Sequence, residues 1–119
     1  MPSSTHKRYV AFYLAPASVI DAWSATDPDV RRPAEEKMRN EWGQWLAAHS
    51  KMIVSTDAGG KTKRVTASGV ADTRNDVMLY SIIEAESHEA AARIFEHHPH
   101  LQIPQSSIEI MEIRPMGGM

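Results

Sequence analysis

Four of the six histidines in this chain stand between Ser87 and Leu101: His88, His97, His98 and His100. Imidazole titrates nearest neutrality of all side chains, so a histidine cluster is a natural place to look for general acid–base chemistry. His98 and His100 flank Pro99 just past the expected end of a helix, at a sheet edge where side chains can face a cleft. Read as chemistry, the two residues point into a cavity and move a proton on a small substrate. Read as structure, His97 and His98 cap the helix C-terminus, and His100 is solvated or bonded to a loop. Both readings stand at the level of sequence.

Other residues could assist. Arg39 or Arg74 can clamp an anion, and Trp42 or Trp45 can form a wall for a planar ligand, although aromatic residues on a helical stripe more often belong to the core. Trp42 is the better ligand candidate of the two, and Trp23 could close a cavity mouth. Asp72, Arg74 and Asp76 cluster ahead of an apolar strand, where they either contact substrate or serve as turn residues. Glu109 and Glu112 fall on opposite faces of a strand, and an inward one would need a cationic partner. His98-x-His100 with either glutamate would be a weak metal set, unsupported by a helical His-Glu-x-x-His signature, so no metal ligand is assigned. The Gly60-Lys61-Thr62 stretch lacks the earlier glycine of a phosphate loop and reads as a turn. There is no nucleophile elbow and no dinucleotide fingerprint.

Elements that position these residues follow from periodicity. Tyr9 to Leu14 is apolar on both alternating faces and reads as a central strand. Ala17 to Ser24 adds a helical turn before the Thr26-Asp27-Pro28-Asp29 breaker. Pro33 then opens a helix whose stripe runs Ala34, Met38, Trp42, Trp45, Leu46 and His49. Lys51 to Thr56 forms a second strand, and Asp57-Ala58-Gly59-Gly60 turns it as a hairpin into a polar strand from Thr62 to Ser68. After a loop over 72–76, Val77 to Glu84 is a central strand, apolar except for Ser81 and the closing Glu84. Ser87 caps a second helix that Pro99 stops, and Ser107 to Arg114 is the last strand. This order predicts an α+β fold, the ferredoxin-like split β-α-β arrangement, with two helices on one face of an antiparallel sheet. The other face then needs a cover, and a second copy of the chain is the expected one.

The 119 residues fit a single domain covering 1–119, with 13 basic against 15 acidic side chains and a net charge of -2. A domain of this size buries roughly 65% of its unfolded surface, too little for a large enclosed cavity. Balanced charge argues against nucleic acid as a partner, since Lys61, Lys63 and Arg64 are the only compact basic cluster. The absence of cysteine removes disulfides and thiolate catalysis. The apolar run before Pro16 is too short to span a membrane, so no membrane partner is expected and a cytoplasmic location is the default.

Several segments in this order resemble the YCII-related (YCII/DGPF) domain family. They are the helix with Trp42 and Trp45, the Gly69 segment, the strand Tyr80-Ser81-Ile82-Ile83-Glu84-Ala85, Ser87 opening an Ala-rich helix, His98-Pro99, and Ile108-Glu109-Ile110-Met111-Glu112-Ile113-Arg114-Pro115. The resemblance implies a dimeric α+β barrel, a homodimer and no cofactor, and it transfers a fold better than a reaction. The His and Asp proposed to act together in some members fall at Arg39 and His98 here, so that pair is absent. The Asp-Gly-Pro-Phe motif of another branch is reduced to Ser68-Gly69-Val70-Ala71. Two expectations follow. One is a cofactor-free isomerase or lyase acting on a small organic acid or lactone, with His98 and His100 catalytic and Arg39, Trp42, Asp72 and Arg74 binding substrate. The alternative is a non-catalytic module that binds a small molecule or dimerises.

Overall fold

The computed structural model describes residues 6–117. Strand β1 (Lys7–Leu14) is followed by α1 (Ala17–Ser24), α2 (Pro28–Ala48), β2 (Ile53–Ala58), β3 (Thr62–Thr66), β4 (Gly69–Thr73), β5 (Val77–Ala85), α3 (His88–Arg93), a 3-10 turn (Pro99–Gln102) and β6 (Ser107–Glu112). Four strands make an antiparallel sheet in the order β2-β5-β1-β6, and β3 and β4 make a separate two-stranded sheet. With the β3–β4 arm set aside, this is the split β-α-β order. The α+β ferredoxin-like fold expected from the sequence is the fold of the chain.

Alternation along β1 explains why the strand lies in the centre. Tyr9, Ala11 and Tyr13 pair with Ile83, Ser81 and Leu79 of β5 and with Glu112, Ile110 and Ile108 of β6, and directly opposed residues share a face. That face carries the core of Tyr9, Ala11, Tyr13, Ile83 and Ala85, closed by Trp45, Ala91 and Phe95 from the helices. The opposite face carries Val10, Phe12, Tyr80, Ile82 and Met111, and among the described residues none of these joins the core cluster that the helices close. Tyr80 and Met111 are exposed there.

Four local expectations are corrected. The residues Asp57-Ala58-Gly59-Gly60 do not close a hairpin, because β2 pairs with β5 and β3 pairs with β4. Gly59 instead donates its N–H to the Met78 carbonyl (2.8 Å), so close to β5 that a Cβ would stand 3.2 Å from the Val77 oxygen. Part of the expected loop over 72–76 is strand, since Gly69–Thr73 returns along β3 after a turn in which Gly69 adopts φ +130°. The long helix starts at Pro28 rather than at Pro33. Asp27 accepts from the Asp29 N–H (2.8 Å) as N-cap and Pro28 takes the first helical position, which leaves Pro33 inside the helix. Helix α3 ends at Arg93, earlier than Pro99, because Phe95 and Glu96 donate to carbonyls three residues back and His97 turns the chain at φ 63°.

Candidate active site

The turn at His97 sends His98 inward. His98 is 1% exposed and His100 0%, and both rings lie on the covered face of the sheet. The His98 ring centroid is 4.5 Å from those of Trp42 and Trp45 and 5.4 Å from that of Tyr13. The His100 centroid is 5.7 Å from that of Tyr13 and nearly perpendicular to it. The two imidazoles therefore lie in the layer between sheet and helices. The Pro99–Gln102 turn that holds them is tied to α2 by Gln102 Nε2 donating to Glu41.

Hydrogen bonds define the tautomers. His98 Nδ1 accepts from the His100 backbone N–H (3.0 Å), so its proton resides on Nε2. His100 Nε2 donates to the Leu14 carbonyl (2.9 Å), beside a register irregularity in β1, so its Nδ1 keeps a lone pair. The two remaining atoms, His98 Nε2 and His100 Nδ1, are buried and have no hydrogen-bond partner among the described residues. One is an N–H donor and the other an acceptor. Burial, reinforced by the neighbouring imidazoles of His100 and His49, pushes His98 down to about 4. Burial also pushes His100 down, against the opposing effects of the Leu14 and Ser107 backbones. Both rings are neutral at neutral pH.

Beside them runs a line of hydroxyls that the sequence marked only through Ser81, the one polar residue within the apolar run Val77 to Ile83. Tyr13 Oη lies 2.8 Å from Ser81 Oγ, which lies 2.7 Å from Thr56 Oγ1. Burial pushes the Tyr13 phenol up, keeping it protonated, while the Ser81 bond acts the other way. Trp45 is core, its indole N–H donating to the Ile94 carbonyl (2.9 Å). His49 Nδ1 donates to the Trp45 carbonyl one helical turn back, at 2.9 Å.

Of the expected substrate-binding residues, Trp42 comes to this site. Trp42 reaches His98 with its ring and also lines an open groove of about 480 Å³ along α2, together with Met38, Arg39 and Leu46. Arg39 is the cation of that groove. Asp72 and Arg74 lie elsewhere, in a cleft between α1 and the β3–β4 arm. Arg74 is already engaged by Asp21 through two bonds of 3.0 and 3.1 Å, which hold the Asp21 carboxyl below its usual range. Asp72 pairs with Lys63. Glu109 stands on the open face opposite Phe12, and Glu112 pairs with Tyr9 on the other side of the sheet. Among the described residues, no three His, Asp or Glu side chains converge as a metal set, and no helix is long and apolar enough to cross a membrane.

The fold and site define a split β-α-β protein with a neutral, buried imidazole pair under a tryptophan. No family model and no curated protein matches the chain. Among solved structures, it is similar to 5-chloro-2-hydroxyhydroquinone dehydrochlorinase (TftG) from Burkholderia phenoliruptrix AC1100, in complex with 2,5-dihydroxybenzoquinone. The identity is 16% and the TM-score 0.41, over 86% of this chain and 89% of that one. At that distance, residue roles rest on this chain's own geometry.

Proposed function

We propose that this chain, acting as one domain in a cytoplasmic homodimer, catalyses proton transfer on a small organic acid or lactone without a cofactor. The observation that carries the reading is the complementary pair of unpartnered nitrogens, His98 Nε2–H and His100 Nδ1. Leaving two buried polar atoms unpaired costs on the order of 1–3 kcal/mol each, a cost seldom retained without use. A substrate carbonyl would accept from His98 Nε2–H while His100 Nδ1 removes a proton from the adjacent carbon. Returning that proton elsewhere completes an isomerisation, and loss of a leaving group completes an elimination. Arg39 would hold the carboxylate in the groove, and Trp42 would swing to admit the reacting end.

The homodimer is supported by the uncovered face of Val10, Phe12, Tyr80, Ile82 and Met111, which a second copy would bury. A second reading, a non-catalytic dimerising or small-molecule-binding module, is favoured by the near-complete burial of both imidazoles. A thermal-shift screen of small organic acids, lactones and phenols separates the two, comparing the wild type with His98→Asn and His100→Gln. A ligand at a hundredfold excess over its dissociation constant stabilises by about 2.7 kcal/mol. A hit in the wild type that disappears in both folded variants, with proton exchange or turnover of the same compound, supports the enzyme. Absence of any hit, with all three proteins melting cooperatively, favours the module.

A further inference from the structure

The cleft between α1 and the β3–β4 arm has a volume of about 1000 Å³ and walls of opposite character. One side is apolar, formed by Ala17 and Ile20 of α1 and by Val77 and Met78 at the start of β5. The other carries Lys61 and Lys63 on the arm. The bidentate Asp21–Arg74 pair clasps α1 to the end of the arm and closes one side. It also occupies Arg74, just as Asp72 occupies Lys63. Lys61 is different: among the described residues no carboxylate pairs with it. The floor is fixed by the close approach of Gly59 to β5, where an added Cβ would press on the Val77 carbonyl.

A recess lined by one uncommitted cation together with apolar side chains suits an anion that carries an apolar body. We infer that this cleft binds an organic monocarboxylate, with the carboxylate on the Lys61 ammonium and the hydrocarbon part on Ile20, Val77 and Met78. A single ammonium supplies point-charge attraction without the planar fork of a guanidinium, so selectivity comes from charge and from the apolar wall. This site stands apart from His98, His100 and the α2 groove and does not depend on the proposed proton transfer.

The test is a titration of the full-length chain with benzoate, followed through backbone amide chemical shifts, with benzyl alcohol as the neutral probe of similar shape. Saturable shifts at Lys61, Thr62, Val77 and Met78 are expected, with binding weakened at least tenfold by added salt or by Lys61→Glu. Lys61→Arg should bind within about threefold of the wild type, and His98→Asn should bind as the wild type does. The proposal is overturned if benzoate gives no saturable shifts in the millimolar range or if Lys61→Glu binds equally well. It is likewise overturned if benzyl alcohol binds as tightly, or if only the α2 groove and the histidine pair respond.

Discussion

The two faces of one sheet part company although the same strands build both. On the covered face, Tyr9, Ala11 and Tyr13 are nearly inaccessible beneath helices α2 and α3, and three buried polar residues, Ser81, His98 and His100, share the space with them. On the other face, β1, β5 and β6 also offer apolar side chains, yet Tyr80 is 38% and Met111 54% exposed, and Val10 alone of that set is buried. Polar residues there stand at the margins, with Asp57 and Glu109 at the two ends of a row that crosses Tyr80 and Phe12. Apolar alternation alone therefore does not set burial; burial depends on what the chain lays across each face. The covered face has a cover of its own and can hold chemistry, whereas the open face is the one through which the proposed dimer would form.

Mutations can break this contrast. Phe95→Ala, on the covered face, removes a ring packed on Tyr13 and Trp45 and should cost about 3–5 kcal/mol at every protein concentration, measured by urea unfolding. Phe12→Asp on the open face should leave monomer unfolding much less affected. It should weaken the proposed dimer by at least about 2 kcal/mol, about thirtyfold in dissociation constant, measured by sedimentation equilibrium. If the two variants behaved alike, the distinction between the faces would be lost.

A pH series sharpens the contrast. In the fold His98 stays neutral down to about pH 4, while in the unfolded chain its pKa returns to 6.5. Between those values the unfolded state binds the extra proton, so the stabilising contribution is full above 6.5, declines as pH falls and levels off below about 4. The contribution at stake is on the order of 2–3 kcal/mol. Unfolding curves at about pH 7 and about pH 4.5 should show this loss in the wild type, and a much smaller one in His98→Asn. Ser81→Ala should cost about 1–2 kcal/mol, because the Tyr13 hydroxyl and Thr56 lose a shared partner inside the core. Asp72→Asn, which breaks the exposed pair with Lys63, should change stability by less than about 0.5 kcal/mol.

Much of the fold was legible because it depends on local pattern. The apolar alternation of Tyr9 to Leu14 and Val77 to Glu84, the stripe through Trp42 and Trp45, and the Ser87 cap, which accepts from the Ala90 N–H at 3.0 Å, all lead directly to elements of the structure. The partner of β2 was not legible, because Gly59-Gly60 is good turn chemistry for a hairpin and equally serves as the step between two sheets. The return strand Gly69–Thr73 is short and exposed, so it lacks the burial pattern that marks a strand. At the candidate site, residue types pointed to His98, His100 and Trp42, which the structure brings together. The direction in which the imidazoles face was set by the backbone of His97, whose positive φ no spacing rule anticipates. Thr56 joins the site only through Ser81, and Tyr13 joins it through Ser81 and through its ring against both imidazoles, contacts between segments far apart in sequence.

The central claim is that His98 and His100 are a neutral pair with one free N–H and one free lone pair. Long-range proton–nitrogen NMR spectra of the imidazoles, recorded from about pH 7.5 to about pH 4.5, test it most directly. Both rings should appear as Nε2–H tautomers at neutral pH, and His98 should stay neutral until close to pH 4. Titration of His98 near 6.5, or a proton on Nδ1 of His100 at neutral pH, would contradict the account.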